Sequence, residues 1–152
     1  IGEFVADCEK RGAEQLFRIH WDGDFFSEEY AEAWRDVMCD YPDVQFWAYT
    51  RSDFAVPILK DVPNLGFYFS TDEANKDLAV TLKETRGVKL AYLAQTFQLA
   101  KADMLEITGK TGVPCPENNK KLTLISDKGS ACVTCGQCIF ERNDILFSAT
   151  KK

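Results

Sequence analysis

Short apolar runs alternate with amphipathic stretches along most of this chain, and that alternation leaves few folds open. "QLFRIHW" (Gln15–Trp21), "DVQFWAYT" (Asp43–Thr50), "NLGFYFST" (Asn64–Thr71) and "VKLAYLAQT" (Val88–Thr96) have the length and the aromatic or β-branched content of strands. Helical patterns lie between them. Ser27 is an N-cap for a helix over Ser27–Tyr41, and Glu28 and Glu29 complement its dipole. Tyr30, Ala33, Trp34, Val37 and Met38 form its expected buried stripe. A short helix over Ser52–Asp61 is limited by Pro57, and a longer one over Asp72–Gly87 closes at Gly87. Upstream of the first strand, Ile1, Phe4, Val5 and Cys8 share one helical stripe. The rhythm predicts an α/β fold: repeated βα units with a mainly parallel sheet, either open or a partial barrel. Right-handed crossovers then place every loop that follows a strand at one edge, where ligands bind in such sheets.

After Thr96 the rhythm breaks. Gly, Pro and Asn mark Thr108–Lys121 as a loop, and "LTLIS" (Leu122–Ser126) and "DILFSA" (Asp144–Ala149) read as short strands around a cysteine cluster. The expected organisation is an α/β core over 1–110 with a Cys-rich metal-binding segment over 111–152 packed on it, in a single compact domain. Cys132, Cys135 and Cys138 are separated by two residues each, and Cys115 lies upstream of them. Thiols at these intervals suit several thiolates around one centre, with Gly136 permitting a tight turn between ligands. Structural zinc usually takes two paired Cys-x2-Cys knuckles, and this chain has one triple and one single. A [4Fe–4S] cluster is commonly held by Cys-x2-Cys-x2-Cys plus a remote Cys followed by Pro, and Pro116 follows Cys115. The favoured cofactor is therefore a [4Fe–4S] cluster on Cys115, Cys132, Cys135 and Cys138, with zinc as the alternative. Cys8 and Cys39 are expected to be core residues.

Composition narrows the partners. A net charge of −6 and a pI near 4.8 argue against gripping nucleic acid by its phosphates. No apolar run is long enough to cross a bilayer, and there is no secretory signal. Clustered cysteines in a chain of this size indicate a reducing, cytoplasmic setting more than a disulfide framework. The chain starts at Ile1, inside a helical pattern, and is expected to be a fragment or a processed product. "GKT" at Gly109–Thr111 is not a phosphate loop, because the required upstream glycine is Met104 and Pro114 blocks the helix.

Strand ends supply the candidate pocket. Period-two alternation in "FRIHWDGDFFS" sets Phe17, Ile19 and Trp21 on one face and Arg18, His20 and Asp22 on the other. His20 is the sole histidine, with Asp22 and Asp24 in the following turn. These could bind a small molecule or move a proton. Alternatively they are an Arg18–Asp22 ion pair, a satisfied core histidine and a helix-entry turn. Arg51 and Thr71, at two other strand ends, complete a pocket of His20, Asp22, Asp24, Arg51 and Thr71; Thr71 and Asp72 could equally cap a helix.

"FRIHWDGDFFSEEYAEAW…PDVQFWAYTRS" followed by "CP…CVTCGQC…ILF" resembles the bacteriophage family called gene product eighty-eight over most of the chain. The resemblance implies phage origin, metal binding and residence in the host cytoplasm. Members of that family also carry an upstream Cys-rich segment that this chain lacks. Their layout is similar to that of radical SAM enzymes, with an amino-terminal three-Cys motif and βα repeats. "WDGDF" (Trp21–Phe25) stands where those enzymes carry a turn that contacts the SAM amino group. The four cysteines here would then correspond to an auxiliary cluster. The functional expectation is a phage iron–sulfur protein with a small-molecule pocket at the strand carboxyl edge. The alternative is a zinc-stabilised, non-enzymatic protein that binds a host protein, and electron transfer without a pocket is a third possibility.

Overall fold

The structure is a computed structural model that describes residues 1–127 and 129–150. Helix α1 (Gly2–Arg11) leads into β1 (Leu16–Arg18), α2 (Glu28–Asp40) and β2 (Gln45–Thr50). A 3-10 turn (Asp53–Ala55) runs into α3 (Val56–Leu59), and β3 (Leu65–Thr71), α4 (Lys76–Arg86), β4 (Lys89–Ala94) and α5 (Phe97–Thr108) follow. Then come β5 (Val113–Pro114), the antiparallel pair β6 (Ile125–Ser126) and β7 (Gly129–Ser130), α6 (Ala131–Cys135) and β8 (Ile145–Ser148).

Six strands form one parallel sheet in the order β1-β2-β3-β4-β8-β5. Strands β1 to β4 are neighbours in chain order. Each right-handed crossover therefore steps the same way and lays its helix on the same face. Phe46, Ala48, Phe67, Phe69, Leu90 and Tyr92 point into that helical layer, where they bury against Ala31, Met38, Val56, Leu59, Ala79, Ala100 and Met104. The alternate residues of the same strands face the other way. Tyr68, Ala91 and Ile145 form a smaller cluster there, with Tyr49, Phe147, Cys115 and Cys138 against it. The expected βα repeats and parallel sheet are present, as an open part-barrel with edges at β1 and β5.

Several local features differ from expectation. β1 stops at Arg18: Ile19 N still donates to the Trp47 carbonyl (3.0 Å), but His20 takes a left-handed backbone (φ 57°) that an extended strand does not allow. Helix α5 occupies a stretch with no anticipated element. Thr96 caps it by accepting from Leu99 N (3.2 Å), and Gly109 ends it at φ 69°. On α2 the fully buried small residue is Ala31, and Ala33 faces solvent. Cys8 is buried as expected, whereas Cys39 is exposed near the end of α2. The expected strand over Leu122–Ser126 shortens to the two residues of β6, which pair away from the main sheet.

Candidate metal centre and its cavity

The last strand in sequence is not the last in the sheet. β8 inserts between β4 and β5, so the chain leaves the carboxyl end of β5 and must return to the amino end of β8. The described residues between them, 115–127 and 129–144, cross the sheet face opposite the main helical layer. Backbone polar groups of this crossing need partners, and the strands supply them. Gln45 Nε2 donates to the Ile139 carbonyl (2.8 Å), and the buried Tyr68 hydroxyl lies within hydrogen-bond reach of the Gln137 (3.2 Å) and Asn143 (3.0 Å) carbonyls. Asn118 clasps the far end of β8, accepting from Ser148 N (2.7 Å) and donating to Ser148 O (3.2 Å). Asp144 pairs with Lys83 (2.9 Å) and accepts from Leu90 N (2.8 Å), fixing the return point. The approach to β3 is close: a Cβ on Gly66 would meet the Cys138 carbonyl oxygen at 2.3 Å and that of Ile139 at 2.6 Å. Only glycine leaves room for this backbone.

The local sequence aims the thiols inward. Ser130 caps α6 by accepting from Val133 N (3.4 Å), and the helix puts Cys132 and Cys135 one turn apart on one side. Gly136 ends α6 in the left-handed region (φ 66°) with its N–H on the Cys132 carbonyl (2.8 Å), as the expected tight turn requires. Cys138 follows two residues later, and Cys115 enters from the end of β5. All four line one cavity of about 1100 Å³ between the crossing segment and the sheet. No disulfide links any of the described cysteines.

The thiols are close enough to influence one another. Burial pushes the Cys138 thiol up to about 12; the Tyr49 hydroxyl opposes this, and Cys115, Cys132 and Cys135 add to it. Burial likewise raises Cys115 and Cys132, and Arg18 works against the rise at Cys132. Even so, among the described residues no three His, Cys, Asp or Glu side chains are gathered tightly enough to hold a single metal ion.

The strand-end candidates divide. Arg51 and Thr71 lie on the cavity wall. Arg51 is ion-paired with Asp72, and the buried Thr71 hydroxyl donates to Asn75 Oδ1 (2.9 Å) just ahead of α4. Together with Arg51, the Arg18 guanidinium supplies the cation lining. His20, Asp22 and Asp24 are not part of this wall. The left-handed turn carries the His20 ring to the helical side, 2.9 Å from the Tyr30 hydroxyl and edge-on to Phe25. Desolvation there lowers its pKa, with Asp24 acting in the opposite sense. Asp24 braces the loop against β2, accepting from Thr50 Oγ1 (2.6 Å), Arg51 N (2.6 Å) and Phe25 N (2.7 Å). Asp22 accepts from its neighbour Gly23 N (3.0 Å) and is not paired with Arg18. Arg18 instead lies beside the rings of Trp21 (5.0 Å) and Tyr49 (5.4 Å). Tyr49, a strand-end residue expected at this edge, also lines the cavity; Trp47 is a lining residue that a sequence reading passes over, and its alternation against Phe46 and Ala48 was the available signal.

Fold and cavity define a class: a singly wound parallel α/β protein whose second sheet face is roofed by a thiol-bearing crossing segment. Comparison with known proteins makes this specific. The sequence family described as Gene product 88 matches residues 1–141, and the chain belongs to that bacteriophage family. It is 52% identical over 154 residues to the Gene 88 protein of Mycobacterium phage L5 and 50% identical over 155 residues to that of Mycobacterium phage D29. Both alignments take in the whole of this chain, which spans 62% of the length of each relative. No solved structure matches it significantly. No helix among the described residues is long and apolar enough to cross a membrane.

Proposed function

We propose that this chain holds a [4Fe–4S] cluster on Cys115, Cys132, Cys135 and Cys138, in the cytoplasm of the phage host. The observation that carries the reading is the convergence of four thiols, from the end of β5, from α6 and from the turn after it, on one cavity. Their spacing along the chain supports a cluster over zinc: one Cys-x2-Cys-x2-Cys triple with a remote Cys before Pro suits a cubane, whereas structural zinc usually takes two paired knuckles. The chemistry of the donors also suits a cationic centre. Thiols raised by burial are neutral at pH 7, and binding a centre of positive metal ions would release their protons. When bound, a cluster supplies one-electron redox chemistry beside a cavity that admits a small molecule. Relation to radical SAM enzymes, with this centre in the auxiliary position, belongs to the same reading.

Single substitutions test the ligand set. Cys132→Ala, Cys135→Ala, Cys138→Ala and Cys115→Ala should each lower bound iron and bleach the visible absorbance of anaerobically reconstituted protein, while Cys39→Ala should do neither. Equal iron in Cys135→Ala and wild-type protein would remove the assignment.

A further inference from the structure

Arg18 and Trp47 are paired in register across β1 and β2, and both line the cavity. Arg18 Nε and Trp47 Nε1 are buried N–H donors without a hydrogen-bond partner. Trp47 is only 7% exposed. Buried donors without acceptors are rare and costly. Two neighbouring donors on one cavity wall therefore call for an acceptor that both can reach. The protein does not provide one to Arg18: none of the ion pairs among the described residues includes it. Aromatic rings lie over its guanidinium, with Trp21 and Tyr49 at 5.0 and 5.4 Å. A guanidinium engaged through its faces keeps its in-plane N–H edge, the edge that reads a carboxylate.

Much of the remaining lining that meets solvent is apolar, although Glu117 and the Arg51–Asp72 ion pair also line this cavity. Trp21, Leu93, Leu124 and Ile125 are 79%, 43%, 48% and 75% exposed, and all four line this cavity. A metal centre alone does not require such surface, whereas the apolar body of a small ligand does. The volume of about 1100 Å³ lies just above the usual range for small-molecule sites, so it leaves room for a ligand of ordinary size. In a chain of net charge −6, a cation held here without a carboxylate partner favours an anionic ligand over a cationic one.

We propose that Arg18 and Trp47 form the head-group site for the carboxylate of a small organic acid, whose apolar body lies against the aromatic and aliphatic lining. The carboxylate accepts from the Arg18 edge and from Trp47 Nε1. This goes beyond the cluster reading and does not rest on it, because both donors belong to the sheet and the cysteines to the segment that roofs it.

Isothermal titration calorimetry tests it with 4-phenylbutyrate as the probe acid and 4-phenylbutanol as its uncharged counterpart. The acid should bind saturably and at least about tenfold more tightly than the alcohol, as a charge-assisted hydrogen bond implies. Arg18→Gln should remove most of that preference, and Trp47→Phe should weaken the acid several-fold while leaving the alcohol nearly unchanged. Equal affinity for acid and alcohol would overturn the proposal, as would full acid affinity in folded Arg18→Gln. Should that variant fail to fold, Arg18→Lys and Trp47→Phe decide the matter: wild-type discrimination in both would overturn it. Iron is measured on the same samples. Acid binding without iron leaves this proposal standing and removes the cluster; iron without acid binding does the reverse.

Discussion

Gly66→Ala places a single methyl group where the crossing segment meets the sheet. Gly66 does not lie in the left-handed backbone region, so alanine suits its strand and the whole effect is steric. The new Cβ would stand 2.3 Å from the Cys138 carbonyl oxygen, 2.6 Å from that of Ile139 and 3.0 Å from the Ile139 carbonyl carbon. Relaxed non-bonded contacts are about 3.5 Å, so the segment must lift by roughly 1 Å. All three atoms are backbone, and no side-chain rotation relieves them. Overpacking of this kind costs about 1–3 kcal/mol. For a chain of this size each kcal/mol lowers Tm by about 2–4 °C, which sets the expected loss near 2–12 °C. The metal effect should be larger, since ligand positions tolerate only about 0.2 Å and Cys138 is in the displaced stretch. Thermal melts by circular dichroism and iron analysis on the same preparation provide the readouts. Gly12→Ala is the control: its Cβ meets nothing within 4 Å, but its φ of 61° is left-handed. That variant should lose stability through backbone strain and keep its iron. Wild-type melting and wild-type iron in Gly66→Ala would refute the placement of the segment against β3.

Two further outcomes follow from the same packing. Tyr68→Phe removes the one hydroxyl within reach of the Gln137 and Asn143 carbonyls and should cost about 1–2 kcal/mol in urea unfolding; an unchanged midpoint would show that the segment is not anchored there. Burial raises the Glu141 carboxyl to about 7, with Lys89 and Lys60 opposing, so the folded state holds this proton more tightly than the unfolded state. The group therefore favours folding at low pH, and that contribution declines as pH rises from the ordinary glutamate value to about 7. After allowance for its partial exposure the decline should be about 1–2 kcal/mol, and Glu141→Gln should flatten it. Equal pH profiles for variant and wild type between pH 5 and pH 8 would contradict the assignment.

How far the sequence reveals the fold depends on which interactions are local. β2, β3 and β4 are buried on both faces or nearly so, and their apolar runs are plain in the sequence. Helix α2 is equally plain from Ser27 and its stripe. Helix α5 is obscured because Leu99 and Leu105 are 51% and 54% exposed, which blurs the apolar stripe that Ala100 and Met104 define. Thr96 and Gly109 were its readable signals, one at each end. The left-handed His20 reverses the alternation expected beyond Arg18, so the histidine goes to the helical side and the arginine to the cavity. The insertion of β8 between β4 and β5 is a long-range choice that leaves no mark on the local pattern. The four cysteines were conspicuous from spacing alone. The adjacency of Arg18 and Trp47 was not, because it exists only once the β1–β2 register is fixed.

The most direct test of the central claim is metal and sulfide analysis, with a visible spectrum, of protein purified without oxygen. A [4Fe–4S] centre predicts a brown protein with about four irons and matching acid-labile sulfide per chain. A colourless protein with about one zinc per chain would contradict it and make the four cysteines a structural clip.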